Sequence, residues 1–102
     1  MVNGQLEPGC RLRRTDSVAH RVIDDEVLLI PIRTDPRQEL GVYTLNRTAA
    51  FLWNLLDQER TVGDLADCLC ARFEVAPDRA RSDVAACCQE LMSFGAIEKV
   101  QA

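Results

Sequence analysis

The stretch GVYTLNRTAAFLWNLLD, residues 41–57, changes its period at an asparagine. Before Asn46, the run Val42, Tyr43, Thr44 and Leu45 is made of β-branched, aromatic and aliphatic side chains that suit a pleated, half-buried surface. After it, Ala49, Leu52, Trp53 and Leu56 recur at helical spacing and define one apolar face. Asn46 is a good N-cap, because its side-chain oxygen can accept from the free amides of the first helical turn. The spacing therefore predicts a short strand running straight into a capped helix. Nothing in the stretch looks catalytic.

Upstream, SVAHRVI (17–23) and EVLLIPI (26–32) are rich in β-branched and aliphatic residues and are joined through Asp24, Asp25 and Glu26, which reads as a hairpin turn. Pro31 removes one ladder donor near the end of the second strand. The polar run RTDPRQEL (33–40), with Asp35 before Pro36, is a longer turn, so GVYTL (41–45) is a third short strand that closes a three-stranded antiparallel meander. Downstream, Thr61 and Asp64 resemble a capping box, followed by a stripe of Val62, Leu65, Leu69 and Phe73. A third helix is predicted from Pro77, where a first-turn proline loses no needed donor, with Asp78 at the positive end of the dipole. Its buried face is Ala80, Val84, Cys87, Cys88 and Leu91. Gly95 supplies a left-handed stop and AIEKV (96–100) a short extended tail. Residues 1–16, with Gly4, Pro8, Gly9 and the cluster Arg11, Arg13 and Arg14, lack periodicity and read as a flexible, solvated arm ahead of a domain over 17–102. The expected fold is α+β, a three-stranded antiparallel sheet followed by a three-helix bundle.

Composition narrows the function. The 102 residues, 47% hydrophobic and 27% charged, suit one domain, which at this size buries roughly two thirds of its unfolded surface. Twelve Lys and Arg against 16 Asp and Glu give a net charge of −4, so neither counterion release from nucleic acid nor attraction to anionic lipid is a driving force. The N-terminus has no apolar signal region, and no run approaches the ~18 apolar residues of a membrane span. Five cysteines, an odd count, point to reduced thiols in the cytoplasm. Cys68 and Cys70 lie about 200° apart around a helix, and Cys87 and Cys88 about 100° apart. Neither pair has zinc-site spacing, so apolar filling is the expected role and no metal is expected.

Catalytic readings fail on geometry. Ser17, His20 and Asp24 superficially suggest a triad, but strand alternation puts Ser17 and His20 on opposite faces. The acidic run Asp24, Asp25 and Glu26 lacks the spaced oxygen ligands of a calcium loop and reads as a solvated hairpin tip. The five glycines form no phosphate-cradling motif. Trp53 and Phe51 are expected in the core. No enzymatic activity and no cofactor are expected of this chain.

Two binding readings remain. In a three-stranded meander the third strand lies at an edge unless the tail pairs with it, and residues 41–45 carry no Lys, Pro or acid to repel a visiting strand. The alternative is a small winged-helix nucleic-acid-binding domain, with two helices joined by EVAPDRA (74–80) beside a hairpin. Its recognition helix carries Arg79 and Arg81 but also Asp78, Asp83 and Glu90, which largely cancel phosphate attraction.

RVIDDEVLLIPI, GVYTLNRTAAFLWNLLD, RTVGDLADCLCARFEV and DVAACCQELMSFGAI together resemble the PqqD family, named for the pyrroloquinoline quinone biosynthesis protein D, and its wider group of RiPP precursor-peptide recognition elements. The similarity runs over about 17–98, and its most specific parts are Tyr43 to Asp57 and Asp83 to Ile97. The resemblance implies a non-catalytic peptide chaperone with a winged-helix-like fold. Such proteins bind the leader of a ribosomally made precursor peptide and present it to a modifying enzyme, often a radical SAM protein. The leader adds as a strand to the edge of the third strand, beside the third helix. Carried over to this chain, Val42, Tyr43, Thr44 and Leu45 supply the edge. Arg79, Asp83, Ala86, Cys87 and Glu90 supply the helical wall. The sequence departs from the family pattern in its N-terminal arm, its long turn over 34–40 and its cysteines.

Strand addition at such an edge forms about four backbone hydrogen bonds of ~1 kcal/mol each, and each buried apolar leader side chain adds ~1.5 to 3 kcal/mol. Ordering the peptide takes back about 2 to 5 kcal/mol. The expected affinity is around micromolar, with specificity set by side-chain pockets and charge.

Overall fold

A hairpin with both turn residues in the left-handed region sets the register of the main sheet. Asp24 and Asp25 have φ of 51° and 68°, the signature of a two-residue type I′ turn, a conformation that aspartate tolerates better than most residues. The computed structural model describes residues 6–32 and 41–100. In it the turn joins β2 (Val18–Ile23) to β3 (Glu26–Pro31), with Ile23 opposite Glu26. β4 (Tyr43–Leu45) pairs antiparallel with β3, Leu45 opposite Val27 and Tyr43 opposite Leu29. The sheet order is β2-β3-β4, which leaves β4 at the edge as the meander predicts. The turn expected over 33–40 lies outside the described residues.

The helices begin where their caps place them. Asn46 accepts from the amide of Ala49 at 2.8 Å and opens α1 (Arg47–Leu55). Thr61 and Asp64 form the reciprocal capping box of α2 (Val62–Phe73), and Pro77 opens α3 (Pro77–Ser93). Gly95, at φ 85°, ends α3, and the amide of Ala96 returns to the carbonyl of Leu91 at 2.9 Å. The core gathers Val27, Leu29 and Leu45 from the sheet against Leu52, Trp53, Leu65, Leu69, Val84 and Leu91 from the helices. This is the α+β layout expected of a sheet followed by three helices. Trp53 is buried as its stripe predicts, while Phe51 is half-buried in edge contact with Phe73.

The N-terminal segment corrects the expectation of a flexible arm. Residues 1–5 lie outside the described residues, but Arg11–Arg14 forms a strand, β1, in a second sheet. The order there is β5-β1-β6, with β5 at Arg60–Thr61 and β6 at Ile97–Lys99. Leu12 is fully buried and belongs to the core. The strand was hard to read because a four-residue element with three arginines shows only one apolar residue, and its partners lie far away in sequence. Arg14 is not solvated: its guanidinium lies 4.2 Å over the Trp53 ring and donates to the Trp53 carbonyl at 2.6 Å. Burial lowers its pKa, opposed by the charge of Asp57.

β6 also answers what the C-terminal tail covers. It pairs with β1, Leu12 opposite Lys99 and Arg14 opposite Ile97, and does not add to β4.

Candidate functional site

Among the described residues the outer edge of β4 carries unpaired backbone groups. In a two-residue hairpin the residues flanking the turn form a hydrogen-bonded pair, and bonded and non-bonded pairs then alternate. From Ile23 and Glu26 the bonded pairs run through Arg21 with Leu28 and Ala19 with Ile30, and the pattern continues to the bond from the Ile32 amide to the Ser17 carbonyl at 2.8 Å. Val27 and Leu29 therefore turn their amides and carbonyls toward β4, where they meet Leu45 and Tyr43. Thr44, between these two, directs its amide and carbonyl away from the sheet. By the same alternation so does Val42, just before the strand, whose side chain is 56% exposed. The edge thus presents the backbone groups of two alternate residues.

Side chains on β4 alternate in the opposite sense. Leu45 is buried in the core, Thr44 is exposed, and Tyr43 lies half-buried against α3. The Tyr43 ring packs 5.2 Å from that of Phe94, and its hydroxyl donates to Glu90 Oε1 at 2.6 Å. Burial first, then the hydrogen bond to Glu90, pushes the phenol up to about 12.

A groove runs between β4 and α3. One depression, of about 770 Å³, is bounded by Tyr43, Ala86, Gln89, Glu90, Ser93 and Phe94. A second, of about 450 Å³, shares Tyr43, Ala86 and Glu90 and extends to Thr44, Asn46, Thr48, Ala49, Asp83 and Cys87. Of the residues singled out from the sequence, Tyr43, Thr44, Asp83, Ala86, Cys87 and Glu90 line this groove together. Leu45 lies beneath it, and Val42 flanks it at the strand's start. Arg79 lies off it, paired with Asp83 at 3.4 Å and with its side chain 73% exposed.

Sequence reasoning missed Gln89, Ser93 and Phe94 on the helix and Asn46 and Thr48 at the strand exit. The first three were within reach, since they fall three to four residues after Ala86 and Glu90 and so share their helical face. Cys87, read from its spacing as core, is half-buried and borders the groove. Burial, reinforced by Glu90, pushes its thiol up to about 11, so it is protonated and a poor nucleophile at neutral pH. Among the described residues no group of three His, Cys, Asp or Glu side chains is placed to hold a metal ion, and no helix is long and apolar enough to cross a membrane. The arrangement suits binding of an extended chain.

Comparison with known proteins places the chain in a family and finds similar folds. The family model described as coenzyme PQQ synthesis protein D matches residues 26–97. Among curated proteins no sequence matches. The fold is similar to that of TbiB1, solved in complex with the TbiA(beta) leader peptide, at 22% identity and a TM-score of 0.73, covering 88% of this chain and 99% of that one. It is also similar to the PqqD truncation of Methylobacterium extorquens PqqCD, solved by NMR and described as a stand-alone RiPP recognition element. That match has 18% identity and a TM-score of 0.70, covering 93% of this chain and 96% of the other. A lasso peptide synthetase B1 complexed with a leader peptide matches at 27% identity and a TM-score of 0.68, covering 85% and 96%.

Proposed function

As the chain belongs to the PqqD family, we propose that it is a non-catalytic recognition element that binds the leader of a ribosomally made precursor peptide and presents it to a modifying enzyme. One observation carries the reading. The outward amides and carbonyls of Val42 and Thr44 lie on an edge that no strand among the described residues pairs, beside a groove walled by α3. Two residues offering a donor and an acceptor each give about four backbone hydrogen bonds, which roughly offset the ordering of the peptide and fix its register, so apolar side chains seated in the groove supply the net affinity.

The solved neighbours support this reading, because two of them were determined with leader peptides bound. The nucleic-acid reading has no comparable support. On α3, Arg79 pairs with Asp83 and Arg81 with Asp78, so both arginines of the would-be recognition helix are committed to acids on the same helix. Five free cysteines suit a reducing compartment, and the cytoplasm is where this reading places the protein.

The test is an NMR titration of the ¹⁵N-labelled chain with synthetic peptides covering the N-terminal half of each short reading frame encoded beside its gene. Saturable shifts concentrated on residues 42–46 and on the groove face of α3 are expected. Shifts confined to β1, β5 and β6, or none with any of the peptides, would contradict the reading.

A further inference from the structure

The two depressions lie in line along the groove and differ in chemistry. The one toward the C-terminal end of α3 is mainly apolar, with Phe94, Ala86 and the ring of Tyr43 as its walls. The one toward the end of β4 is mainly polar. Asn46, Thr48, Asp83 and Glu90 line it, two carboxylates with no basic side chain among the described lining residues. The hydrogen bond from Tyr43 to Glu90 stands between them.

Their spacing matches a strand. On α3 the polar depression is bounded by Asp83, Ala86, Cys87 and Glu90, and the apolar one by Ala86, Gln89, Glu90, Ser93 and Phe94. The second set is displaced along the helix by about one turn, ~5.4 Å. A strand places residues i and i+2 on the same face, ~6.6 to 6.8 Å apart. A segment added to β4 therefore sets one side chain over each depression, from positions two apart.

We propose that the groove selects a leader segment bearing an apolar residue and a Lys or Arg two positions away, the apolar side chain against Phe94 and the cation between Asp83 and Glu90. This rests on the reading of β4 as a peptide-docking edge and adds the pattern that the edge accepts. Arg79 offsets part of the charge of Asp83 from outside the groove. Glu90 accepts from Tyr43 through one oxygen and keeps further acceptor positions for a cation. An acidic side chain placed there meets two like charges. Since the polar depression adjoins the C-terminal end of β4, a segment running antiparallel to β4 carries the cation on the N-terminal side of the apolar residue.

A display library of random nonapeptides, selected in parallel on the wild-type chain, on the Asp83→Asn/Glu90→Gln double variant and on Thr44→Pro, tests this. Glu90→Gln retains an acceptor for the Tyr43 hydroxyl, and circular dichroism checks that each variant is folded. Wild-type selection is expected to enrich an apolar residue with Lys or Arg two positions away. The double variant should keep the apolar preference while losing the basic one, and a selected peptide should bind it roughly two- to fivefold more weakly, the range of partly exposed ion pairs. Wild-type peptides without the basic position, or an unchanged basic preference on the double variant, would overturn the proposal while leaving the docking edge intact. Enrichment that survives Thr44→Pro would instead overturn the edge reading and the pattern with it.

Discussion

The Tyr43 hydroxyl donates to the Glu90 carboxylate at 2.6 Å, tying the open edge strand to the helix that walls its groove. The bond fixes the width of the groove at its middle, where the apolar and polar depressions meet. It also couples the phenol to its surroundings, because burial and the neighbouring carboxylate both disfavour the phenolate.

The chain has one tyrosine, so absorbance at 295 nm reads Tyr43 alone. It should titrate near 12 rather than near the 10 usual for a free tyrosine. Because the folded pKa lies above the unfolded one, the folded state holds the proton more tightly between those values. The associated stability is present below about pH 10 and falls as pH rises toward about 12. Glu90→Ala should lower the midpoint but not restore it fully, since burial is the larger cause. A midpoint near 10 in the wild type would show that Tyr43 is not held against α3.

Leu12→Ala tests whether the N-terminal segment belongs to the core. A fully buried leucine whose removal leaves a cavity costs about 2 to 5 kcal/mol, measurable by urea denaturation. A change below about 0.5 kcal/mol, the level of an ordinary surface substitution, would return the segment to a dispensable arm.

Cys87 should alkylate slowly. With its thiol pushed up to about 11, it holds roughly two orders of magnitude less thiolate at pH 8 than a free cysteine. Mass-spectrometric timing of iodoacetamide labelling, with glutathione as reference, checks this. Labelling of Cys87 as fast as the reference would contradict the burial described here.

Much of this architecture was legible in the residues because it rests on local rules. Asn46, the box of Thr61 and Asp64, Pro77 and Gly95 each satisfy or terminate backbone groups within a few residues, and each acts as its chemistry predicts. The second sheet was not legible. Its strands are two to four residues long and pair across distances such as Leu12 to Lys99, so no local pattern announces them. The same limit applied to the site. Tyr43 and Leu45 could be turned inward from alternation alone, but choosing the outward amide required the register set by the turn at Asp24 and Asp25. Arg79 was carried over from the family resemblance, and its side chain, largely exposed and paired with Asp83, is not among the residues that line the two depressions.

Thr44→Pro removes an outward amide from β4 and so probes whether that strand docks a peptide through its outward backbone. Proline is tolerated on an edge strand where the lost amide faces solvent, so the melting temperature should stay within a few degrees of wild type. Leu45→Pro, which removes an amide facing β3, should destabilise the sheet and serves as the contrast. Fluorescence anisotropy with a labelled leader peptide that binds the wild type is the measurement. Folded Thr44→Pro should lose at least tenfold in affinity if β4 docks the peptide, corresponding to about 1.4 kcal/mol or more from one lost donor and the steric block of the ring. Affinity within twofold of wild type in that variant would contradict docking there.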